Sequence, residues 1–132
     1  MCGVFLSCHL HIITILPLPY QFEYILFLRK GKHKKINNCG TSDILSIPNK
    51  KTKDENGKNL HDTEKPVELA RILIENSSNE GDLVYDPFRG SGTTAKCANV
   101  LSRNFIGSEL SEEYWRKSNE RISGYINQEK LF

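Results

Sequence analysis

The sequence predicts an α/β fold built on a short parallel sheet, and three observations carry that prediction. Beyond residue 65 the hydrophobic period switches repeatedly between helical and extended spacing, the pattern of βαβ units. A strand-like run, Leu83-Val84-Tyr85, leads into Asp86-Pro87-Phe88-Arg89-Gly90-Ser91-Gly92, a glycine turn that opens a helix. A second strand-like run, Phe105-Ile106-Gly107, ends at Glu109, 23 residues after Asp86.

Each element has a local reason. Pro66 suits a first helical position, which loses nothing by lacking an N–H, and Val67, Ala70, Leu73 and Ile74 then share one face of a helix that ends near Asn76 to Ser78. Gly81-Asp82 turns the chain into Leu83-Val84-Tyr85, expected to be a buried strand. After the glycine turn, a helix from about Thr93 to Leu101 directs Ala95, Ala98 and either Leu101 or Val100 inward. Ser111 caps a last helix whose first turn holds Glu112 and Glu113, favourable to the helix dipole, and which carries Tyr114, Trp115 and Ile122. Upstream, Phe22 to Leu28 reads as a strand leaving the sheet through the basic turn Arg29-Lys30-Gly31-Lys32. From His33 to Leu60 no period holds, so this stretch is a loop or linker.

At 132 residues the chain has room for about one ordinary domain, and 38% apolar with 26% charged residues is the composition of a folding chain, neither disordered nor fibrous. The net charge of +2 hides a division into three segments. Residues 1–21 are an uncharged apolar leader, residues 22–60 a strand plus basic linker, and residues 61–132 a mildly acidic α/β domain. Lys30, Lys32, Lys34, Lys35, Lys50, Lys51 and Lys53 place positive charge on the linker, which either meets a polyanion or is a solvated loop.

Cys2, Cys8, Cys39 and Cys97 form no C-x-x-C pair and no disulfide framework, and are read as reduced thiols of a cytoplasmic protein. Cys2, Cys8, His9 and His11 lack a standard zinc spacing, so no metal is expected. The apolar run Val4 to Leu18 has no basic start and no small-residue cleavage site, and Pro17 and Pro19 end it short of the roughly 18–20 apolar residues of a span. A strand or a leader is expected there, with membrane association as the alternative.

The loop from Asp86 to Thr94 carries the chemistry. Its glycines let a ligand approach the backbone, and the free N–H groups at the helix start favour a negative group. It lacks the Gly-Lys-Ser/Thr of a P-loop and the third glycine of the dinucleotide fingerprint, which disfavours an ATPase or a standard dehydrogenase. Glu109, about 20 residues further on at a strand end, is placed to accept hydrogen bonds from ribose hydroxyls. The plainer alternatives are a tight structural turn and a solvated carboxylate at a helix entry.

Together, His61-Asp62-Thr63-Glu64-Lys65-Pro66-Val67-Glu68-Leu69, Asp86-Pro87-Phe88-Arg89-Gly90-Ser91-Gly92-Thr93-Thr94 and Phe105-Ile106-Gly107-Ser108-Glu109 resemble the S-adenosylmethionine-binding half of site-specific DNA methyltransferases. The family is the one acting on the exocyclic amino group of adenine or cytosine, in the permuted order that puts the catalytic motif before the cofactor motifs. The resemblance covers His61 to about Ile122 and implies a Rossmann-like fold with an incomplete sheet. It further implies that Asp86, Phe88, Gly90 and Gly92 line the methionine part of the cofactor, that Thr63 and Lys65 reach its carboxylate, and that Glu109 holds the ribose. The chemistry agrees: the cationic amine suits Asp86, the carboxylate suits Lys65 and the helix start at Thr93, and the sulfonium tolerates the face of Phe88. An exposed helix-start lysine is the plainer reading of Lys65. Asp62 stands where the family usually has proline, and Arg89 and Ser108 are variations at tolerant positions.

One motif is missing. The family polarises the target nitrogen with an Asn, Asp or Ser followed by Pro-Pro and an aromatic that stacks on the flipped base. No Pro-Pro occurs in the chain, and Pro17-Leu18-Pro19-Tyr20 lacks the acceptor. No catalytic residue is therefore assigned, and a complete enzyme of this kind needs about a further hundred residues. The expectation is a cofactor-binding portion, truncated, split or degenerate, that contacts DNA nonspecifically through the linker lysines and is completed by a partner chain carrying the catalytic half. A non-catalytic binding module is the alternative.

Overall fold

The computed structural model describes residues 5–7, 24–28, 36–48, 53, 57 and 64–129. Their elements are β1 (Phe5–Ser7), β2 (Ile25–Phe27), α1 (Val67–Ser77), β3 (Leu83–Asp86), α2 (Thr93–Val100), β4 (Asn104–Gly107) and α3 (Glu112–Glu129). The second half follows the expected order, with boundaries shifted by a residue. Pro66 takes the position before the helix, its φ of −56° fixed by the ring and its ψ of 135° still extended, and Val67 begins α1. Ser111 caps α3, its Oγ accepting from the Tyr114 N–H at 3.4 Å.

β3, α2 and β4 form one βαβ unit. The strands pair in parallel with Leu83 opposite Asn104, Val84 opposite Phe105, Tyr85 opposite Ile106 and Asp86 opposite Gly107. A parallel ladder requires a crossover, and the eight-residue α2 supplies it. The register continues past the strand ends: Ser108 N–H donates to Asp86 O at 3.1 Å and Arg89 N–H to Ser108 O at 2.9 Å. Both carboxyl ends are thereby held side by side.

Period 2 in the strands and period 3.6 in the helices meet in one core. Val84 and Phe105 point to the same side and pack with Ala70 and Leu101 around the buried Ile74, Cys97 and Ala98. The small residues Ala95 and Ala98, both buried, let α2 lie close against α1 and the strands. Leu101 turns inward, and Val100 is exposed. Burial pushes the Cys97 thiol above its ordinary value, and its Sγ donates to Val67 O at 3.4 Å. Cys39 and Cys97 are free thiols, while Cys2, Cys8 and their neighbouring histidines lie outside the described residues.

Two expectations are corrected. β3 is not a buried strand, because its alternate residues Leu83 and Tyr85 face away from the helices and are half or more exposed. β2 is shorter than the Phe22 to Leu28 run and pairs antiparallel with β1, Phe5 opposite Phe27, in a ladder separate from β3–β4. Its side chains Leu26 and Phe27 are exposed, so a β-rich composition makes the strand without placing it in the parallel sheet. The rest of the apolar leader lies outside the described residues.

Residues 36–48 form neither helix nor strand, as a linker should, yet part of the segment is anchored. Asn37 N–H donates to Asn76 O at 2.9 Å, and its side-chain Nδ2 donates to Ser78 O at 2.7 Å and Glu75 O at 2.9 Å, satisfying carbonyls that the end of α1 leaves open. Arg103 reaches the same place from the other side, with Nη2 donating to Ser78 O at 2.9 Å and Nε to Ser78 Oγ at 3.2 Å.

Truncating Ile74, which joins α1 to the βαβ unit, should cost about 2–5 kcal/mol, because the close-packed helices relax only partly into the cavity. Urea denaturation of the Ile74→Ala chain should show a lower midpoint with unchanged slope; an unmoved midpoint would show that this cluster does not hold the domain together.

Candidate functional site

The site forms where β3 and β4 end. Asp86 closes β3 with an Asx turn, its Oδ1 accepting from the Phe88 N–H at 3.0 Å, which leaves the other carboxylate oxygen as an acceptor. The chain then folds back through Gly90 and Gly92, both left-handed, at φ of 50° and 79°. Gly92 is crowded as well as left-handed. A Cβ there would lie 3.1 Å from Ser118 Cβ and 3.2 Å from Ile122 Cδ1, so α3 sits directly on the loop. Gly92 also precedes α2 with no side-chain cap, so the first N–H groups of the helix are not satisfied by a cap side chain.

Glu109, just past the end of β4, connects the two loops. Its Oε2 accepts from Gly90 N–H at 2.8 Å and its Oε1 from Ser111 N–H at 3.0 Å. One carboxylate thus holds the glycine loop against the entry of α3. A carboxylate oxygen can accept more than one hydrogen bond, so the group can also take those of a diol.

A second tie comes from α3. Arg121 Nη1 lies 2.8 Å from Glu64 Oε1, with the two side chains only 10% and 3% exposed, and the same nitrogen donates to Ser91 O at 3.1 Å. Glu64 immediately precedes Lys65, so this buried pair fixes the start of α1 against the glycine loop. Arg89 adds a third connection, its Nη2 donating to Asn119 Oδ1 at 2.7 Å and its guanidinium standing 5.9 Å from the centre of the Phe105 ring. Desolvation lowers the Arg89 pKa and the Asp86 charge opposes the shift.

Asp86, Gly90, Gly92 and Thr93 lie on the segment from the end of β3 to the start of α2, Glu109 is bonded to that segment through Gly90, and Glu64, the neighbour of Lys65, is tied to it through Arg121. Thr93 is buried and its Oγ1 lies 3.2 Å from Ser91 Oγ. Phe88 is 82% exposed on the loop. Thr63 lies outside the described residues, as do all the linker lysines but the exposed Lys53.

Sequence reading missed Glu64, Arg121 and Asn119, and treated Arg89 as a tolerant position. A signal existed for two of them. Glu64 stands inside the motif that holds Lys65, and Arg121 falls on the stripe of Ser118 and Ile122 at helical spacing, where a charge needs a buried partner.

A parallel βαβ unit with an acidic residue at each of two adjacent strand ends and a glycine-opened helix between them is the arrangement in which open α/β sheets take nucleoside ligands. The family model described as DNA methylase matches residues 17–120, and the chain belongs to that family. It is 54% identical over 61 residues to the orphan methyltransferase M.BamHII of Bacillus amyloliquefaciens, covering 46% of this chain and 23% of that protein. It is 42% identical over 103 residues to the type II methyltransferase M.HinfI of Haemophilus influenzae, covering 78% of this chain and 28% of that protein. Among solved structures, the M1.HpyAVI–SAM complex aligns with a TM-score of 0.57 at 34% identity over 75% of this chain and 48% of that one. The putative DNA modification methylase TTHA0409 of Thermus thermophilus aligns with a TM-score of 0.56 at 26% identity over 92% and 52%. The chain therefore spans about half or less of the relatives it matches.

Breaking the buried pair should be costly and its removal as a pair mild, since a buried carboxylate deprived of its arginine is left only in the first case. Arg121→Met should destabilise the chain by about 3–5 kcal/mol, and Glu64→Met with Arg121→Met should recover much of that. If a double-mutant cycle by urea denaturation gave additive losses, the pair would not be coupled.

Proposed function

We propose that this chain is the S-adenosylmethionine-binding part of a DNA amino-methyltransferase that acts on adenine or cytosine. The observation that carries the reading is Glu109, an acceptor held by two backbone amides past the end of β4 beside the glycine loop of β3. Bound S-adenosylmethionine supplies an electrophilic methyl group on a sulfonium. Glu109 would accept from the ribose hydroxyls, Asp86 would take the cationic amine, and the start of α2 at Thr93 with Lys65 and Thr63 would meet the carboxylate. The left-handed Gly90 and Gly92 would let the backbone approach the methionine part, and the exposed Phe88 would fold over it. The donor set fits the group: one anion for its cation, one cation and a helix start for its anion, and a diol acceptor.

The substrate in this reading is DNA. Lys30, Lys32, Lys34, Lys35, Lys50, Lys51 and Lys53 would contact phosphates, which gives salt-sensitive binding without base readout. The acceptor and stacking aromatic that activate a flipped base are absent from the sequence, so transfer requires a catalytic half from elsewhere, in a cytoplasmic assembly. No helix among the described residues is long and apolar enough to cross a membrane. The missing Pro-Pro motif equally favours a second reading, a cofactor-binding module that regulates a partner.

Calorimetric titration with S-adenosylmethionine should show weak binding, reduced about ten- to a hundredfold in the Glu109→Ala chain, since each lost bond to a charged group is worth about 1.5–3 kcal/mol. Because Glu109 also holds Gly90 and Ser111, circular dichroism must show the variant folded; equal affinity in a folded variant would remove Glu109 from the site.

Incubated alone with tritiated cofactor and mixed genomic DNA, the chain should incorporate no label. Losing one preorganised polar group typically costs about 10²–10³ in rate, and here the whole base pocket is missing. Label transferred by the chain alone would place a catalytic group within it.

A further inference from the structure

The two faces of the β3–β4 ladder are unlike. Val84 and Phe105 pack into the core, whereas Leu83, Tyr85 and Ile106 point the other way and are 50%, 60% and 55% exposed. Tyr85 stands opposite Ile106 in the register and Leu83 lies two residues earlier on the same strand, so the three make one continuous apolar patch. The remaining residue of that face, Asn104, is uncharged.

Parallel sheets are stable where helices cover both faces, and here α1 and α2 cover one. The chain also matches only 48% of M1.HpyAVI and 52% of the Thermus thermophilus methylase, so about half of a relative lies beyond what this chain supplies.

We propose that the Leu83–Tyr85–Ile106 face is the docking surface for that other half, and that an apolar helical stripe of the catalytic polypeptide seats on it. This rests on the reading of the chain as the cofactor-binding part of a methyltransferase. The patch carries no Lys or Arg, so nucleic acid, which is held through phosphate-contacting cations, is not its ligand. A second copy would stack two parallel sheets face to face, an arrangement such sheets avoid because their crossover connections place helices on the faces. Tyr85 serves as the central anchor, a large side chain of low rotamer entropy with a polar tip, flanked by two aliphatic contacts. Docking there also brings the partner beside the carboxyl end of β3, one residue from Asp86, where the cofactor's methyl donor would have to face a base held by the catalytic half.

The test uses the full chain co-expressed with the portion of M1.HpyAVI that it does not match. Light scattering after size exclusion should give a one-to-one complex for the wild type and for Val100→Lys, a control at an exposed position on α2. Tyr85→Lys with Ile106→Lys should weaken that complex by at least about a hundredfold while leaving the unfolding midpoint near that of the control. No complex with the wild-type chain, or one indifferent to the two lysines, overturns the proposal. So does a wild-type homodimer that the lysines dissociate, which assigns the face to a second copy. Titration of S-adenosylmethionine into the same samples separates the two readings: cofactor binding without a complex defeats the docking face alone, and a complex without cofactor binding defeats the cofactor reading alone.

Discussion

Arg121 is the residue on which the arrangement of the site depends. By pairing with Glu64 and holding the Ser91 carbonyl, it joins three segments that are far apart in sequence: the entry to α1, the glycine loop and α3. The pair is buried, so its desolvation cost is offset only with further hydrogen bonds, and the bond from the same nitrogen to Ser91 O is one of them. Gly92 shows the other side of the same contact, since α3 approaches the loop closely enough that a Cβ there would crowd Ser118 and Ile122.

Glu109 performs the complementary task from within the sheet. Fixed by the parallel register near the level of Asp86, it turns two backbone amides into a rigid mounting for its own oxygens. A carboxylate so held is oriented before any ligand arrives, so less ordering entropy is lost on binding. In the function proposed above, structure and recognition share the same atoms.

The fold is stable on one side of its sheet and open on the other. The small residues of α2 allow a dense core with α1, and the stitching of Asn37 and Arg103 onto the end of α1 extends that core to the linker. Leu83, Tyr85 and Ile106 have no comparable cover among the described residues. The uncovered face and the missing Pro-Pro motif are, in the reading proposed above, two expressions of one fact: the chain holds the cofactor-binding half of a site that needs two.

What the sequence by itself determined is local in origin. Hydrophobic period placed α1, β3, α2 and β4, turn chemistry placed the glycine loop, and the spacing from Asp86 to Glu109 implied two adjacent strand ends, because each of these depends on neighbours within a turn or a strand. Only the tertiary structure decided that β2 pairs with β1 in a ladder separate from the parallel one, that Leu83 and Tyr85 face outward, and that Phe88 is exposed. It alone revealed the partnerships of Arg121 with Glu64 and of Arg89 with Asn119. The physical reason is that strand partners, buried ion pairs and face coverage are set by contacts between residues roughly 20 to 60 positions apart, and an isolated charge or apolar side chain in a sequence carries no mark of which distant neighbour will satisfy it.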